Sequence, residues 1–526
     1  MKKTAAIAID VVLFVILLFC MMVAVILAAG FLEIVSGWNI CFTKAGGIVI
    51  ALLILGGTLC SYFVWPRRRF GSSPGQSLVM AAAEGQKPRR ALYWYCRVLG
   101  VLLLAYILTW IISAAVFGSL VERQRSVLET IGVPRDWRQV FPVYRSDSNA
   151  ATYLDNGTDT LAGLKLRPVG KWFTATIEAP DSIRTLAPKI DSLLALNQDA
   201  LAQADQGLAC DKLVWRDYRG ASIDTFYQIR FPNYMRLQEL TKMYLLAAET
   251  AAYRKDWKSA QEQCQRAVRL IDLMRQDPVL IGKMIAIVSQ GTICDGLTVI
   301  AKNGRNDPRS YALVRRTCDA LPSLAGQVRQ GMVAEFASST AMMGAMAKKL
   351  GARKTVLLMG GIEGKNAAAV MAIVAPVYRV WAGWDLYCAL KTAEYVVRIS
   401  SPENDVAAVD TLQSEYKRFA KKRLRLPALF SSISAPNFIT MHQRELEARA
   451  KPGAVALFAA ALEYQRSRGT YPRDLEQLVP QYFKELPVSP INGNEYQYAR
   501  SADTLRVSTP GSDGGPVPKT TFILQK

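Results

Sequence analysis

Four carboxylates on predicted helices are the residues of this sequence best placed to do hydrolytic chemistry. Glu239, Glu249, Asp272 and Glu335 lie in strongly helical segments whose helices could face a common groove. Two carboxyl groups can supply a general acid and a base or nucleophile, as glycan hydrolysis requires. Carboxylates on a helical bundle are more often solvated or held in ion pairs. The sequence therefore favours a protein without catalysis, and we assign no catalytic residue.

Other reactive residue types give weaker patterns. The single histidine, His442, lies in "MHQRELEAR", which predicts an exposed, charged helix face rather than a triad base or metal ligand. One histidine without clustered cysteines does not provide an ordinary zinc site. "GGIEGKN" at 360–366 is similar to a phosphate loop, but its glycines are one residue too close and Asn366 replaces Ser or Thr. We predict no cofactor and no metal site.

The nine cysteines are an odd, widely spaced set without a CxxC motif. Such a set is neither a disulfide framework nor a zinc site. One bridge, between helix partners near Cys264 and Cys294, is compatible with an oxidising compartment. The sequence leaves that bridge open.

Three uncharged apolar segments, 11–32, 45–65 and 98–118, each have the length of a membrane-spanning helix. A cleaved signal peptide is the alternative for the first segment, because "MKK" precedes it and "ILAAG" offers small residues. A signal peptide has a shorter apolar region, and two further spans follow here. We therefore predict a three-helix membrane anchor over residues 1–118.

Loop charge sets the expected orientation. Residues 66–90 carry six basic side chains against one acid, which predicts a cytoplasmic loop and N-terminus in a bacterial inner membrane. Residues after about 119 are then extracytoplasmic, and they carry about +14 of the net charge of +21. Expected partners are membrane lipids and, through the basic surface, envelope proteins or anionic polymers. No nucleic acid partner is expected, and a generally basic host proteome would explain the charge equally well.

Beyond the anchor, the sequence predicts a mainly α protein in three further segments. Residues 119–231 form a mixed linker and packing region, 232–435 an extracytoplasmic helical bundle, and 436–526 a small α+β module. Asp256 and the Asp277-Pro278 pair are predicted to start helices within the bundle. The apolar stretch 366–399 is interrupted by Pro376, which favours a buried bundle helix over a membrane span.

Two bundle segments carry more specific patterns. Ala260, Cys264 and Ala267 have the spacing that lets helices approach in a tetratricopeptide-like hairpin, although no second copy follows at a 34-residue period. The basic run 417–425 predicts a solvated helix face. Together with the apolar residues after it, the run could instead mark an interfacial helix end on the outer leaflet.

The C-terminal segment is predicted to hold a helix ending at Gly469, a short helix in "RDLEQLVPQYF" and three strands, "NGNEYQYA", "DTLRVST" and "KTTFILQ". A "G-x-YP" motif, an "LP-x-x-P" corner and paired tyrosines follow one another here, at Gly469, Tyr471, Pro472, Leu486, Pro487, Pro490, Gly493, Tyr496 and Tyr498. This order resembles the globular head of type II secretion major pseudopilins and related type IV pilin-like proteins.

The segment departs from those heads at several positions. Ser489 stands where the family has an acid, Ile491 where it has an aromatic residue, and Asp513 is the one acid left in "GSDGG", the counterpart of the calcium loop. Calcium normally needs several oxygen ligands, so no calcium site is assigned. The chain also has no prepilin-peptidase site at the expected distance, which argues against a filament subunit.

A wider resemblance runs from about Asn149 to the end of the chain. The blocks "SNAATY", 245–287 and 461–499 are similar to uncharacterised membrane-anchored proteins of planctomycete-like bacteria. That resemblance implies the domain order and no activity. We expect a non-catalytic scaffold or interaction protein of the cell envelope, with two alternatives: a carboxylate-dependent envelope glycan hydrolase, or an accessory component of a secretion or pilus-like system.

Overall fold

The structure is a computed structural model. It describes residues 90–145, 148–160, 167–222, 232–304, 307–349, 365–404, 406–423, 439–491, 495–501, 504–509 and 521–525, with positions 229 and 493 and scattered positions between 9 and 79. These residues form a mainly helical protein with one small sheet at the C-terminal end, which confirms the predicted fold class at this level.

The described residues contain fourteen α-helices. In chain order they are α1 Trp65–Phe70, α2 Arg90–Thr130, α3 Ala150–Thr160, α4 Arg167–Glu178, α5 Ile183–Leu196, α6 Gln198–Leu208, α7 Tyr234–Tyr253, α8 Trp257–Met274, α9 Leu280–Asn303, α10 Pro308–Ala320, α11 Gln327–Lys349, α12 Lys365–Ile399, α13 Val406–Arg423 and α14 Ile439–Arg468. Short 3-10 helices occupy Trp137–Val140, Pro180–Ser182 and Leu475–Leu478.

Two described helices, and not three, are long and apolar enough to cross a membrane. The first is in α2, which contains the third predicted span. The other two predicted spans fall largely outside the described residues. The second helix is α9, which was predicted as a bundle helix. Length and composition select it because it is apolar all round, as a helix at the centre of a core is.

The two helices differ in how much of their apolar surface is buried. In α2 only 6% of the most apolar window is buried, and side chains such as Val101 are 66% exposed. Exposed apolar surface of this extent suits a hydrocarbon environment. In α9 83% of the corresponding window is buried. Of the two, α2 is therefore the candidate membrane-spanning helix, and α9 is an interior helix of its unit.

The described chain divides into two compact units, each built from separate stretches of sequence. Unit 1 contains Met1–Ser126, Met343–Lys391 and Lys417–Ser434, and unit 2 contains Val127–Met342, Thr392–Tyr416 and Ala435–Lys526. The apolar stretch after Asn366 forms α12, whose residues through Lys391 lie in unit 1. The boundaries of the four segments predicted from the sequence stay predictions.

Unit 1 is held together by contacts between its distant segments. Asp10 accepts hydrogen bonds from the Tyr62 hydroxyl (2.9 Å) and the Ser73 hydroxyl (2.6 Å). In the same unit, Gly383 allows α12 to approach α2, because a Cβ there would lie 2.8 Å from Cβ of Phe117. The described part of the basic run, in α13, has exposed side chains at Lys417, Arg418 and Lys421.

Unit 2 is centred on the hairpin of α7 and α8 with α9 against it. Asn233 caps α7 by accepting from the amide of Arg236, and Asp256 caps α8 by accepting from the amide of Ser259. These caps satisfy amides that the first turn leaves without helical partners. The small residues predicted to let the hairpin close, Ala260, Cys264 and Ala267, are fully buried. The tetratricopeptide-like assignment itself stays a prediction.

Helix α14 joins the helical core to the C-terminal module. Pro452 cannot donate to the carbonyl of Ala448, four residues earlier, and the Gln290 side-chain amide donates to that oxygen instead (3.1 Å). The Tyr496 hydroxyl donates to the carbonyl of Ala450 (2.9 Å). Gly453 leaves room for this contact, because a Cβ there would collide with the hydroxyl oxygen.

The predicted three-stranded meander is present in the C-terminal module. Strands β1 Gln497–Arg500, β2 Thr504–Ser508 and β3 Thr521–Gln525 pair antiparallel in the order β1-β2-β3. Gly469 adopts a left-handed backbone (φ +77°) directly after α14, as expected of a helix C-cap. The loop with Asp513 lies outside the described residues.

Candidate functional site

The carboxylates singled out in the sequence lie on three helices, α7, α8 and α11, and the two on α7 do not converge. Glu239 and Glu249 are ten residues apart on α7, which separates them by about 15 Å along the helix. Glu239 pairs with Lys242 at 2.7 Å, and Asp272 is held by Arg269 (2.5 Å) and Arg275 (2.8 Å). Of the four, only Asp272 lines one of the larger cavities in the described part of the chain.

Glu249 is a carboxyl group closed off from solvent. Its side chain is 2% exposed, and among the described residues neither of its oxygens has a hydrogen-bond partner. The nearby Thr176 hydroxyl already donates to the carbonyl of Phe173 (2.9 Å). Burial raises the pKa of Glu249 to about 8, so the group is mostly protonated at neutral pH. Because Glu249 is neutral and inaccessible, it can affect the stability of the fold but cannot reach a substrate.

The prediction that His442 lies on an exposed helix face is wrong. The side chain is 0% exposed, and no partner for either ring nitrogen is found in the described ranges. Burial, with a smaller contribution from Arg449, lowers the pKa of His442 to about 4. The exposed charge in this stretch lies on another face of α14, as at Arg444, whereas Glu445 is buried like His442.

Glu445, three residues further along α14, is a buried acid with a structural role that the sequence did not indicate. Its side chain is fully buried and accepts from the amides of Gly326 (2.9 Å) and Val328 (2.6 Å) at the start of α11. A carboxylate at this position satisfies amides of the first helical turn and favours the helix dipole. Glu445 therefore fixes α14 to α11.

The buried cysteines are free thiols. Cys264 and Cys294 do not form the bridge that the sequence left open, and Cys318 is likewise buried and free. Burial raises the pKa of Cys264 to about 12, which removes the thiolate needed for nucleophilic or redox chemistry. In the part of the chain that the structure describes, no group of histidine, cysteine and acidic side chains could hold a metal ion.

A pocket of about 490 Å³ in unit 2 gathers basic side chains, and we call it the basic pocket. Its walls come from residues 132–142, which follow α2, from the turn between α8 and α9, and from the first turn of α11. The charged and amide side chains that line it are Gln139, Arg219, Gln276, Lys283, Arg329 and Gln330. Its size is that of a site for a small ligand.

The end of α2 places one wall of this pocket. Gly132 adopts φ +87°, which a side chain would disfavour, and the amide of Val133 then donates back to the carbonyl of Leu128 (2.9 Å). This turn leaves the carbonyl of Ile131 to accept from Nη2 of Arg329 (2.6 Å). The wall and the arginine are thus positioned by one helix end.

The same segment holds Arg219 by a single bond. Its Nε donates to the carbonyl of Phe141 (2.5 Å), in the segment that lines the pocket. Among the described residues, neither Arg219 nor Arg329 forms an ion pair with a carboxylate. The remaining N–H groups of the two guanidinium ions are therefore available to an anion.

Lys283 forms the buried floor of the pocket. It is 3% exposed, and its Nζ donates to Oε1 of Gln327 (2.7 Å), to Oε1 of Gln330 (3.2 Å) and to the carbonyl of Arg275. Burial lowers the pKa of Lys283 to about 8, while Asp277 and Glu445 act in the opposite direction. Both acids lie outside the pocket lining.

The pocket lining contains three cationic side chains and no acid. Such a lining attracts an anion and lacks the paired acid and base or the activated nucleophile of a hydrolase. A second cavity, of about 390 Å³ between α8 and α10, also contains arginines, but Asp272 neutralises two of them there. The basic pocket is therefore the stronger candidate site.

Sequence reasoning missed the basic pocket. Arg219, Lys283 and Arg329 come from three distant segments and match no motif. The one available signal was the excess of basic residues outside the predicted anchor. No known protein family, curated protein or solved structure matches the chain.

Proposed function

We propose that this protein is a membrane-anchored, non-catalytic interaction protein of the bacterial cell envelope that binds an anionic component through the basic pocket. The observation that carries the proposal is a lining with three cations and no carboxylate. The excess positive charge of the chain, +21 in total, would raise the local concentration of anionic partners around it.

The exposed apolar surface of α2 supports the membrane anchor in this proposal. With the loop at 66–90 in the cytoplasm, unit 2 faces the outside and the basic pocket is open to envelope components. The candidate partners are envelope proteins with acidic surfaces, anionic polymers and membrane lipids. The specific membrane and the orientation rest on loop charge alone.

The hydrolase alternative gains no support from the geometry, since Glu239 and Glu249 lie apart and Asp272 is held in ion pairs. Accessory function in a secretion or pilus-like system stays a prediction that rests on the resemblance of residues 469–498 to pseudopilin heads. Within the proposal, the C-terminal module is a small recognition or capping unit attached to α14.

Co-purification tests the proposed function directly. The full chain would be extracted from native membranes in mild detergent at low and high salt, and its partners identified by mass spectrometry. We expect specific envelope components at low salt that are lost at high salt, because exposed charges are screened. The Arg219→Gln, Arg329→Gln double variant should lose the same components.

The control is the Arg184→Gln, Arg466→Gln double variant, which removes the same charge from two exposed arginines elsewhere in unit 2. It should keep the partners. A wild-type protein that comes out alone at both salt concentrations, or a pocket variant that keeps all partners, would contradict the proposed function.

A further inference from the structure

The donors in the basic pocket define the chemistry of its ligand more narrowly than its charge does. Arg219 and Arg329 each use one N–H group on a backbone carbonyl. A guanidinium has five N–H groups, so four remain on each. Two forks of this kind, free of carboxylate partners, can contact several oxygens of one ligand.

The amides of the lining add to these donors. Nζ of Lys283 can only donate, so the atom of Gln330 that faces it at 3.2 Å must be the oxygen. The Gln330 nitrogen is then left as a donor. Gln276 is engaged at both ends, since its nitrogen donates to the carbonyl of Asp211 (3.2 Å) and its oxygen accepts from the amide of Leu213 (3.2 Å). The polar groups still available on Arg219, Arg329 and Gln330 are therefore donors.

We infer that the basic pocket binds a phosphate-type oxyanion through Arg219 and Arg329, either as free phosphate or as the phosphomonoester of a lipid headgroup. A phosphomonoester presents three terminal oxygens and a charge of about −1.5 to −2 at neutral pH, which matches two guanidinium ions. A carboxylate has two oxygens and one negative charge, and would leave donors without acceptors. A volume of about 490 Å³ admits a headgroup.

Apolar side chains complete the pocket and favour this ligand over a hydrated ion. Val140, Phe141, Pro142, Pro278 and Val333 line it together with the donors. Reduced solvent around a charge-assisted hydrogen bond strengthens it. The glycerol portion of a headgroup would contact these side chains, whereas free phosphate would not.

This inference rests on the proposed function and specifies its ligand. The test is calorimetric titration of the full chain in a neutral detergent with inorganic phosphate, glycerol 3-phosphate and acetate at equal ionic strength. We expect one site that binds a phosphate compound at least tenfold more tightly than acetate. Preference for inorganic phosphate identifies the free ion as the ligand, and preference for glycerol 3-phosphate identifies the headgroup.

Two variants test the residues. The Arg219→Gln, Arg329→Gln variant should bind at least tenfold more weakly. The Arg219→Lys, Arg329→Lys variant keeps the charge without the planar fork and should also bind at least tenfold more weakly. The Arg184→Gln, Arg466→Gln control should bind as the wild type does. Thermal unfolding of every variant would show that the chain is folded.

The inference is overturned if neither phosphate compound binds, if acetate binds equally tightly, or if both pocket variants bind phosphate as the wild type does. Failure of the ligand class and failure of the function can be told apart. If the pocket variant loses the envelope partners but the wild type binds no phosphate compound, the ligand class is wrong and the interaction function is still supported. Phosphate binding by a protein that recovers no partner supports the inference and contradicts the proposed interaction.

Discussion

The helical core of unit 2 and the two arginines of the basic pocket hold their charged groups under opposite conditions. Glu249 and His442 in the core are buried, have no hydrogen-bond partner among the described residues, and have strongly shifted pKa values. Arg219 and Arg329 in the pocket are accessible and bond to backbone carbonyls through single N–H groups. Strongly perturbed titration often marks functional sites, but here it accompanies inaccessibility.

This difference indicates that solvent access, and not the size of a pKa shift, distinguishes candidate binding residues from structural residues in this protein. Core groups should affect the free energy of unfolding and its pH dependence. Pocket groups should affect ligand binding and leave stability nearly unchanged. Four substitutions test that separation, in order of decreasing effect on stability.

Removing the carboxylate of Glu445 should have the largest effect. Glu445→Ala leaves the amides of Gly326 and Val328 buried without acceptors and removes a counter-charge of Lys283. We expect a loss of about 3 to 5 kcal/mol in the free energy of unfolding, measured by denaturant unfolding of the full chain in detergent. The matched control is Glu476→Ala, an exposed position. Equal stability of the two variants would show that Glu445 does not cap α11.

Replacing Glu249 should change how stability depends on pH. The folded-state pKa of about 8 lies above the unfolded value of 4.5, so the native state binds more protons between them. Wild-type stability therefore falls as pH rises through this window. Glu249→Gln should remove that fall and be more stable than wild type by about 3 kcal/mol at pH 7, with the difference shrinking toward pH 4.5. A difference that stays constant from pH 5 to 8 would contradict a buried, protonated Glu249.

Replacing His442 should have a smaller effect in the opposite pH direction. Its folded-state pKa of about 4 lies below the unfolded value of 6.5, so the unfolded state binds more protons between them. Wild-type stability therefore falls as pH drops from 6.5 toward 4. At pH 5 this loss amounts to about 2 kcal/mol of the wild-type free energy of unfolding, and His442→Phe should not show it. Above pH 7.5 the difference in stability between the two proteins should not change with pH. Thermal unfolding at several pH values checks this, and parallel pH profiles would refute it.

The smallest effect on stability is expected in the basic pocket. Arg219 and Arg329 each contribute one bond to a carbonyl and no ion pair, so the Arg219→Gln, Arg329→Gln variant should lose about 1 kcal/mol or less. Denaturant unfolding beside the Arg184→Gln, Arg466→Gln control measures the difference. A loss as large as that of Glu445→Ala would place these arginines in the structural framework and erase the distinction between pocket and core.

Local signals made much of the fold predictable. Asp256 was readable as a helix start, and Gly469 as a helix end, because capping depends on residues next to one another in the chain. The three strands of the C-terminal module followed from alternation and turn residues. Membrane spans were less secure, since composition alone does not separate α2, which is exposed, from α9, which is buried.

The candidate site was not predictable in the same way. Arg219, Lys283 and Arg329 meet only after distant segments pack, and no periodicity relates them. His442 was misjudged because the exposed charge in its stretch, as at Arg444, lies on another face of α14. Glu445 shared that charged stretch, and its amide partners lie more than a hundred residues away in sequence. Tertiary packing decided each of these cases.

Phosphate titration of three full-length proteins tests the separation of pocket and core most directly: wild type, Arg219→Gln with Arg329→Gln, and Glu249→Gln. We predict that Glu249→Gln binds phosphate as the wild type does while its stability profile changes with pH, and that the pocket variant remains folded and binds at least tenfold more weakly. Weakened binding in Glu249→Gln together with wild-type binding in the pocket variant would contradict the account.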